Sequence, residues 1–310
     1  MEIKNKRIIV TGGAGFIGSN IARTLAPDND VTVLDSMHTG SVDNIRDIMS
    51  QHNVKLVQDT SGNAEKADKD ADIIFHLGMY SSTPMYRENN QRVSEVIRDA
   101  IDLFKFASGA GIPVVFASSS SVYNGLNPPH TEDLSLKVTD FYTEARIGVE
   151  RLAELYNKFN GLDATALRLF SVYGRHEENK KEFANLVTQF LLAIKSDQQP
   201  VIYGDGTQTR DFTFVEDVVS AFIKGADKKG FNIYNVGTGT NYTLNQLVEK
   251  LSEHVGRNVI PKYIPQPLKN YVMHTLASTK KAEAELGFKA RYTLDMGIDD
   301  LMEYYGIKKQ

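Results

Sequence analysis

The sequence contains no cysteine, which removes disulfides, thiolate zinc sites, thiol nucleophiles and cysteine-ligated clusters from consideration, and suits a reducing compartment such as the cytoplasm. No stretch approaches the ~18 consecutive apolar residues of a membrane span, and Met1 to Val10 turns straight into a strand-like run too short for a signal h-region. No membrane address is expected. A dense Lys/Arg block is missing too: 35 basic against 39 acidic residues leave a formal net charge of −4, which argues against a nucleic-acid binder driven by phosphate contacts. The seven histidines are scattered without metal-ligand spacing, so no metal is expected, and His76 at a strand end reads as structural. What is present is ordinary for a globular chain. With 310 residues, 41% of them hydrophobic, it can bury a sizeable core, as one large α/β unit or as two interlocked domains.

Short β-branched runs alternate with helical patterns: Arg7 to Thr11, Val31 to Leu34, Val54 to Val57, Ile73 to His76, Val114 to Ala117 and Ala164 to Leu169. Continuous apolar runs mark parallel strands buried on both faces, and right-handed crossover helices fill the chain between them. The predicted class is α/β, a doubly wound parallel sheet of Rossmann type followed by a smaller C-terminal α+β lobe. Helices are expected near residues 15–26, 87–110 and 142–160, then near 181–195, 215–226, 243–254 and 294–305. Short strands are expected around Val201 to Tyr203 and Phe231 to Asn235. The boundary falls near 170, giving domains 1–170, joined by parts of 211–236, and 171–310. Thr213 with Glu216, and Thr243 with Gln246, have capping-box spacing.

Directly after the first strand stands Thr11-Gly12-Gly13-Ala14-Gly15-Phe16-Ile17-Gly18. Gly12, Gly15 and Gly18 allow a tight turn, close approach of backbone to a pyrophosphate, and close helix-to-strand packing, while the helix opening at Phe16 and Ile17 offers free N–H groups. The second strand ends at Asp35, near the spacing at which a carboxylate accepts hydrogen bonds from a ribose. A carboxylate there repels a 2′-phosphate, and no arginine follows in Ser36 to Ser41, so the reading is NAD rather than NADP.

With these features the sequence resembles the extended short-chain dehydrogenase/reductase family, and within it the UDP-glucose (UDP-galactose) 4-epimerases and their nucleotide-sugar relatives. The resemblance spans nearly the whole chain. It is carried by the Gly12 to Gly18 loop, Asp35, Asp59, His76-Leu77-Gly78, Ser118 to Tyr123, Leu167 to Phe170 with Val172-Tyr173-Gly174, Tyr203 to Phe212, and Tyr234 to Gly237. It implies that Asp59, Leu77, Gly78, Ser94, Ala117 and Phe170 join the glycine loop around NAD. It implies Ser119, Tyr142 and Arg146 as the catalytic group, which also meets cofactor and sugar. It further implies Ser171, Asn185, Leu186 and Arg210 on the side of a UDP-sugar substrate, and a homodimer through the helices near 87–110 and 142–160.

Oxidising a secondary alcohol needs an acceptor, a base for the hydroxyl proton and a group that holds the oxygen. By the resemblance, Tyr142 is the base and the Ser119 hydroxyl holds the oxygen. An ordinary tyrosine is almost wholly protonated at neutral pH, so a working base needs about 4 kcal/mol of help from a nearby cation. The family motif is Tyr-x-x-x-Lys, which places base and cation on one helix face; this chain reads Tyr142-Thr143-Glu144-Ala145-Arg146. A positive charge ~5 Å away contributes roughly 3 kcal/mol at an effective dielectric of ~20, so the electrostatic help survives the exchange. The forked guanidinium does not reproduce an ammonium's hydrogen-bond geometry. Dehydratases of the family carry Asp and Glu where this chain has Ser120 and Ser121, which leaves 4-epimerisation as the expected reaction. Two alternatives stay open: a modifier of a uronic or N-acetylated nucleotide sugar, and an NAD-binding protein without turnover. Further departures from the family pattern are Ser171 and Ser94 in place of asparagines, and a missing arginine around Pro267 to Tyr271, where Lys269 is the nearest cation.

Overall fold

The apolar runs become the strands of one parallel sheet. In the computed structural model, which describes residues 2–266 and 271–309, they are β1 (Arg7–Thr11), β2 (Asp30–Asp35), β3 (Val54–Gln58), β4 (Ile73–His76), β5 (Val114–Ser119), β6 (Ala164–Leu169) and β7 (Phe231–Val236). Their order is β7-β6-β5-β4-β1-β2-β3, with every neighbouring pair parallel. Because β1 lies between β2 and β4, the winding reverses there, and a crevice opens at the carboxyl ends of β1 and β4.

Strand periodicity sorts side chains to two faces. Ile8 and Val10 point to the face covered by α1 (Phe16–Leu25), while Ile9 points to the face covered by α2 (Arg92–Ala110) and α3 (Phe141–Asn160). The C-terminal lobe packs α4 (Leu186–Lys195) against the helices Leu244–Val255 and Leu294–Tyr304 around Phe190, Leu247 and Leu301. No helix among the described residues is long and apolar enough to cross a membrane.

Within the stretch 211–236 expected to join the first domain, β7 lies in the main sheet as its edge beside β6, and α5 (Val215–Gly225) packs Val218 and Phe222 into the core beneath α1. Several local expectations shift. The helix expected over 87–110 is two pieces, Thr83–Glu88 and α2, because Asn89 is extended. The helix expected from 181 starts at Leu186, since Lys181 holds φ 50° and ψ −120° and breaks the helical path. The Thr213–Glu216 capping box does not form. Thr213 pairs as strand with Val172, α5 starts one residue later behind Phe214, and the threonine hydroxyl is buried without a partner among the described residues. The Thr243–Gln246 box does form, with both reciprocal bonds.

Candidate active site

The crevice at the switch point is a cavity of about 490 Å³. Its first half is built from backbone. Gly12 turns the chain at φ 66°, and a Cβ there would lie 2.8 Å from the amide nitrogen of Gly78, so the loops leaving β1 and β4 touch. A Cβ on Gly18 would lie 2.1 Å from the Gly12 carbonyl oxygen. α1 therefore starts hard against the turn. Gly15 is its N-cap and provides no side-chain cap, and Gly15, Phe16, Ile17 and Gly18 form the wall, which presents the helix's positive end to the cavity. These positions fit a pyrophosphate. Asp35 at the end of β2 accepts N–H bonds from Ala14 (2.9 Å) and Met37 (2.8 Å). Burial raises its carboxyl above the usual range, and those amides oppose the rise. With Asp35 and no arginine in Ser36 to Ser41, the donor and acceptor set fits NAD.

Leu77 and Gly78 reach the wall because Thr11 holds them: its Oγ1 accepts from both amides, at 3.1 and 3.0 Å. The same hydroxyl hydrogen-bonds Nδ1 of His76, 2.8 Å away. Complete burial, with a smaller contribution from the Arg146 charge, holds His76 down at about 3. His76 is a structural brace.

Side chains build the other half. β5 delivers Ala117 and Ser119 to the wall, and the Ser119 hydroxyl accepts the Ser121 amide at 3.1 Å. Asp140 caps α3 by accepting the Thr143 amide at 2.8 Å, which puts Tyr142 in the first turn and Arg146 one turn on. Both are nearly buried and both reach the cavity. The edge of Tyr86 packs on Tyr142 with centroids 5.6 Å apart. The Arg146 guanidinium carbon lies over the Tyr142 ring, 5.0 Å from its centroid. Its two terminal nitrogens donate to the Tyr80 carbonyl and the Met79 sulfur, each at 2.7 Å. Guanidinium geometry is thereby used on the loop after β4.

Behind this half lies a buried polar network. Ser118 donates to Glu150 at 2.6 Å, and Arg168 grips Glu150 with Nε (3.0 Å) and Nη2 (2.7 Å). Arg168 also donates to the Tyr123 hydroxyl at 2.8 Å, which donates in turn to Asn235 at 2.7 Å. Burial pushes the Tyr123 phenol up to about 12, so it stays a donor. The network ties the ends of β5, β6 and β7 to α3.

On the lobe side, Ser171 and Asn185 reach the wall, Asn185 as the N-cap of α4. Glu177, Lys180 and Phe183 line the cavity as well, and no motif announced them. Glu177 is fully buried and accepts from the Asn185 amide (2.9 Å), Thr188 (2.7 Å) and Lys180 (3.0 Å), which fixes the start of α4.

Five expected residues stand off the wall. Asp59 accepts from Thr60 and Asn63 in its own turn, and Thr60 and Ser61 line the cavity instead. Ser94 is exposed and bonds the Gln91 carbonyl; the helical phase of α2 turns Glu95, Arg98 and Asp99 inward in its place. Phe170 is buried in an apolar cluster with Tyr123 and Ile147. Leu186, the first helical residue of α4, packs against the lobe core. Arg210 is tied to the carbonyls of Thr209 (2.8 Å), Val272 (2.6 Å) and Met273 (3.2 Å), with its guanidinium over Tyr271. Lys269 lies outside the described residues.

Residues 8–237 match the model of the NAD dependent epimerase/dehydratase family. Among curated relatives, a putative UDP-glucose 4-epimerase of Methanocaldococcus jannaschii is 31% identical over 96% of this chain and 97% of its own. Among solved structures, the UDP-N-acetylglucosamine 4-epimerase of Methanobrevibacter ruminantium, in complex with UDP-N-acetylmuramic acid, superposes with a TM-score of 0.90 at 30% identity, covering 97% of this chain and 100% of its own. The UDP-glucose 4-epimerase of Thermotoga maritima with UDP-glucose gives 0.89 at 27% identity, covering 97% and 98%.

Proposed function

We propose, on the premise that the chain belongs to the NAD-dependent epimerase/dehydratase family, that it interconverts UDP-glucose and UDP-galactose by inverting C4 of the sugar. The observation that carries this is the meeting of Tyr142, Ser119 and Arg146 in the same cavity as the glycine loop and Asp35. Ser120 and Ser121 line that cavity where an acid and base for dehydration would stand, which favours epimerisation. The relatives named for UDP-glucose support the sugar.

Bound NAD supplies a reversible hydride acceptor. The protein's part is proton handling and grip. Tyr142 takes the C4-hydroxyl proton as the alcohol becomes a ketone and returns it to the inverted alcohol. Ser119 holds the oxygen and relays the proton, and the Arg146 cation stands beside the Tyr142 ring. Asn185 and Ser171 face the sugar nucleotide. Arg210 serves its diphosphate by leaving backbone carbonyls for phosphate oxygens, to which a guanidinium binds more strongly. A second copy of the chain covers Ile101, Leu155 and Phe159, three of the large apolar side chains that α2 and α3 leave exposed.

The deciding experiment incubates purified protein with each sugar nucleotide, without added NAD, and resolves products by chromatography. Interconversion supports the reading. Conversion confined to UDP-N-acetylglucosamine or UDP-glucuronic acid would move the sugar and keep the reaction. No conversion of any of them, repeated with NAD, sinks the reading.

A further inference from the structure

The segment 171–185 that carries Glu177 and Lys180 into the reaction cavity has a second side. Arg175 and His176 face a separate cleft of about 1500 Å³, opened between α1, α5 and the chain around 287–291. Six cations line it, Arg23, Arg46, Arg175, Lys224, Lys289 and Arg291, against three carboxylates, in a chain whose formal net charge is −4. Three of the cations are already matched: Arg23 with Asp47, Arg46 with Asp43, and Arg175 with Asp300. Lys224, Lys289 and Arg291 form no ion pair among the described residues. The Nε of Arg23 is a buried donor with no acceptor there. Val219 and Ile223 on α5 supply apolar surface among these cations. His176 sits in the same positive field, held below the usual imidazole range by burial first and by Arg23 second.

We propose that this cleft binds a small anion carrying two or more phosphate groups, and that its occupancy is transmitted to the reaction cavity through segment 171–185. Three cations without an ion pair around one opening match several phosphate oxygens at once, whereas a single carboxylate would satisfy only one of them. The transmission has a visible route. The Asn20 side-chain amide donates both to the Phe16 carbonyl (2.9 Å), on the wall of the reaction cavity, and to the Arg175 carbonyl (3.0 Å), on the wall of the cleft. Along the segment, Ser171, His176 and Lys181 hold φ of 31°, 69° and 50°, a region that residues other than glycine keep only when their surroundings enforce it. A ligand that draws Arg175 therefore acts on a segment with an alternative backbone within reach, and Glu177, Lys180 and Asn185 move with it.

The site does not depend on the reaction assigned above; only its coupling to turnover does. The test titrates sodium tripolyphosphate into the full chain by calorimetry, with NAD and UDP saturating so that the first cavity is filled. The comparison protein is the double variant Lys224→Glu, Lys289→Glu, whose parent side chains make no ion pair and stand outside the reaction cavity. Expected are one saturable site per chain, binding that weakens as salt rises, and an affinity in the variant lower by about tenfold or more. In the parent alone, tripolyphosphate shifts KM for the sugar nucleotide by about fivefold, the lower end of ordinary coupling. No saturable binding with the first cavity filled, or equal binding by the variant, overturns the site. Binding lost in the variant with KM unmoved in the parent overturns the coupling and keeps the site.

Discussion

The two halves of the reaction cavity are made of different material. The cofactor half is backbone: Gly12 and Gly18 leave no room for a Cβ, and the groups on offer are amides and one carboxylate held by amides. The half that carries Tyr142 is side chains, each placed by other side chains, down to the buried Glu150–Arg168 pair behind Ser118. In the first half recognition and structure are one object, so any change strikes both. In the second, the reacting groups are separable from the brace that aims them, and substitutions can take them apart.

Tyr142→Phe is the sharpest cut, because it removes a hydroxyl and leaves the packing on Tyr86. Turnover should fall about 10²–10⁴-fold, the usual share of a general base, while NAD bound per chain stays at the parent level. A fall of only a few-fold would put the base elsewhere. Glu150→Gln cuts the brace instead. It leaves the Arg168 charge buried without its counter-ion, and unfolding in denaturant should show a loss of about 3–5 kcal/mol. A loss under about 1 kcal/mol would mean the pair is as dispensable as a surface one. Gly18→Ala tests the backbone half: a Cβ 2.1 Å from the Gly12 oxygen must push the turn away from α1. The overpacking, about 1–3 kcal/mol, should appear as NAD affinity lower by about 10–100-fold, read by equilibrium dialysis. Normal NAD binding would show that the loop gives way freely, and the contrast between the halves would fail. Arg146→Lys should do least. The charge beside Tyr142 remains, so turnover should change by less than about tenfold in either direction. Abolished turnover would show that the bonds to Met79 and Tyr80, rather than the charge, are what the site needs.

The same division decides what could be read from the sequence. The doubly wound sheet, the glycine turn and Asp35 are local in the chain: apolar runs, spacings of three residues, one acid at a strand end. Tyr142 and Arg146 are one helical turn apart, and helix geometry alone puts them on one face. Glu177 and Lys180 gave no such signal, because Glu177 matters through Asn185 and Thr188, 8 and 11 residues further on, across a turn that only the packed lobe defines. The brace is more remote still: Ser118 meets Glu150 across 32 residues, and Tyr123 meets Asn235 across 112. Motif position points to Ser94, but helical phase decides which residues of α2 face the cavity, and Thr213 has the spacing of a cap, but pairing with Val172 makes it strand. Local propensity loses at such places because tertiary contacts set the boundary.

The late return of β7 to the sheet has a consequence for the chain as it is made. When β6 has left the ribosome at Leu169, its outer edge has no partner, and the strand that covers it ends only at Val236. At ~5–20 residues per second, that edge waits about 3–13 s during synthesis. Throughout the wait, a fully buried run, Ala164 to Leu169, presents open backbone hydrogen-bonding groups to any other strand nearby. The nucleotide-binding unit is therefore not a module that can be finished before the lobe begins. Its last strand and the helix beneath α1 are both encoded beyond residue 210, so truncation after 170 leaves an open sheet rather than a smaller protein.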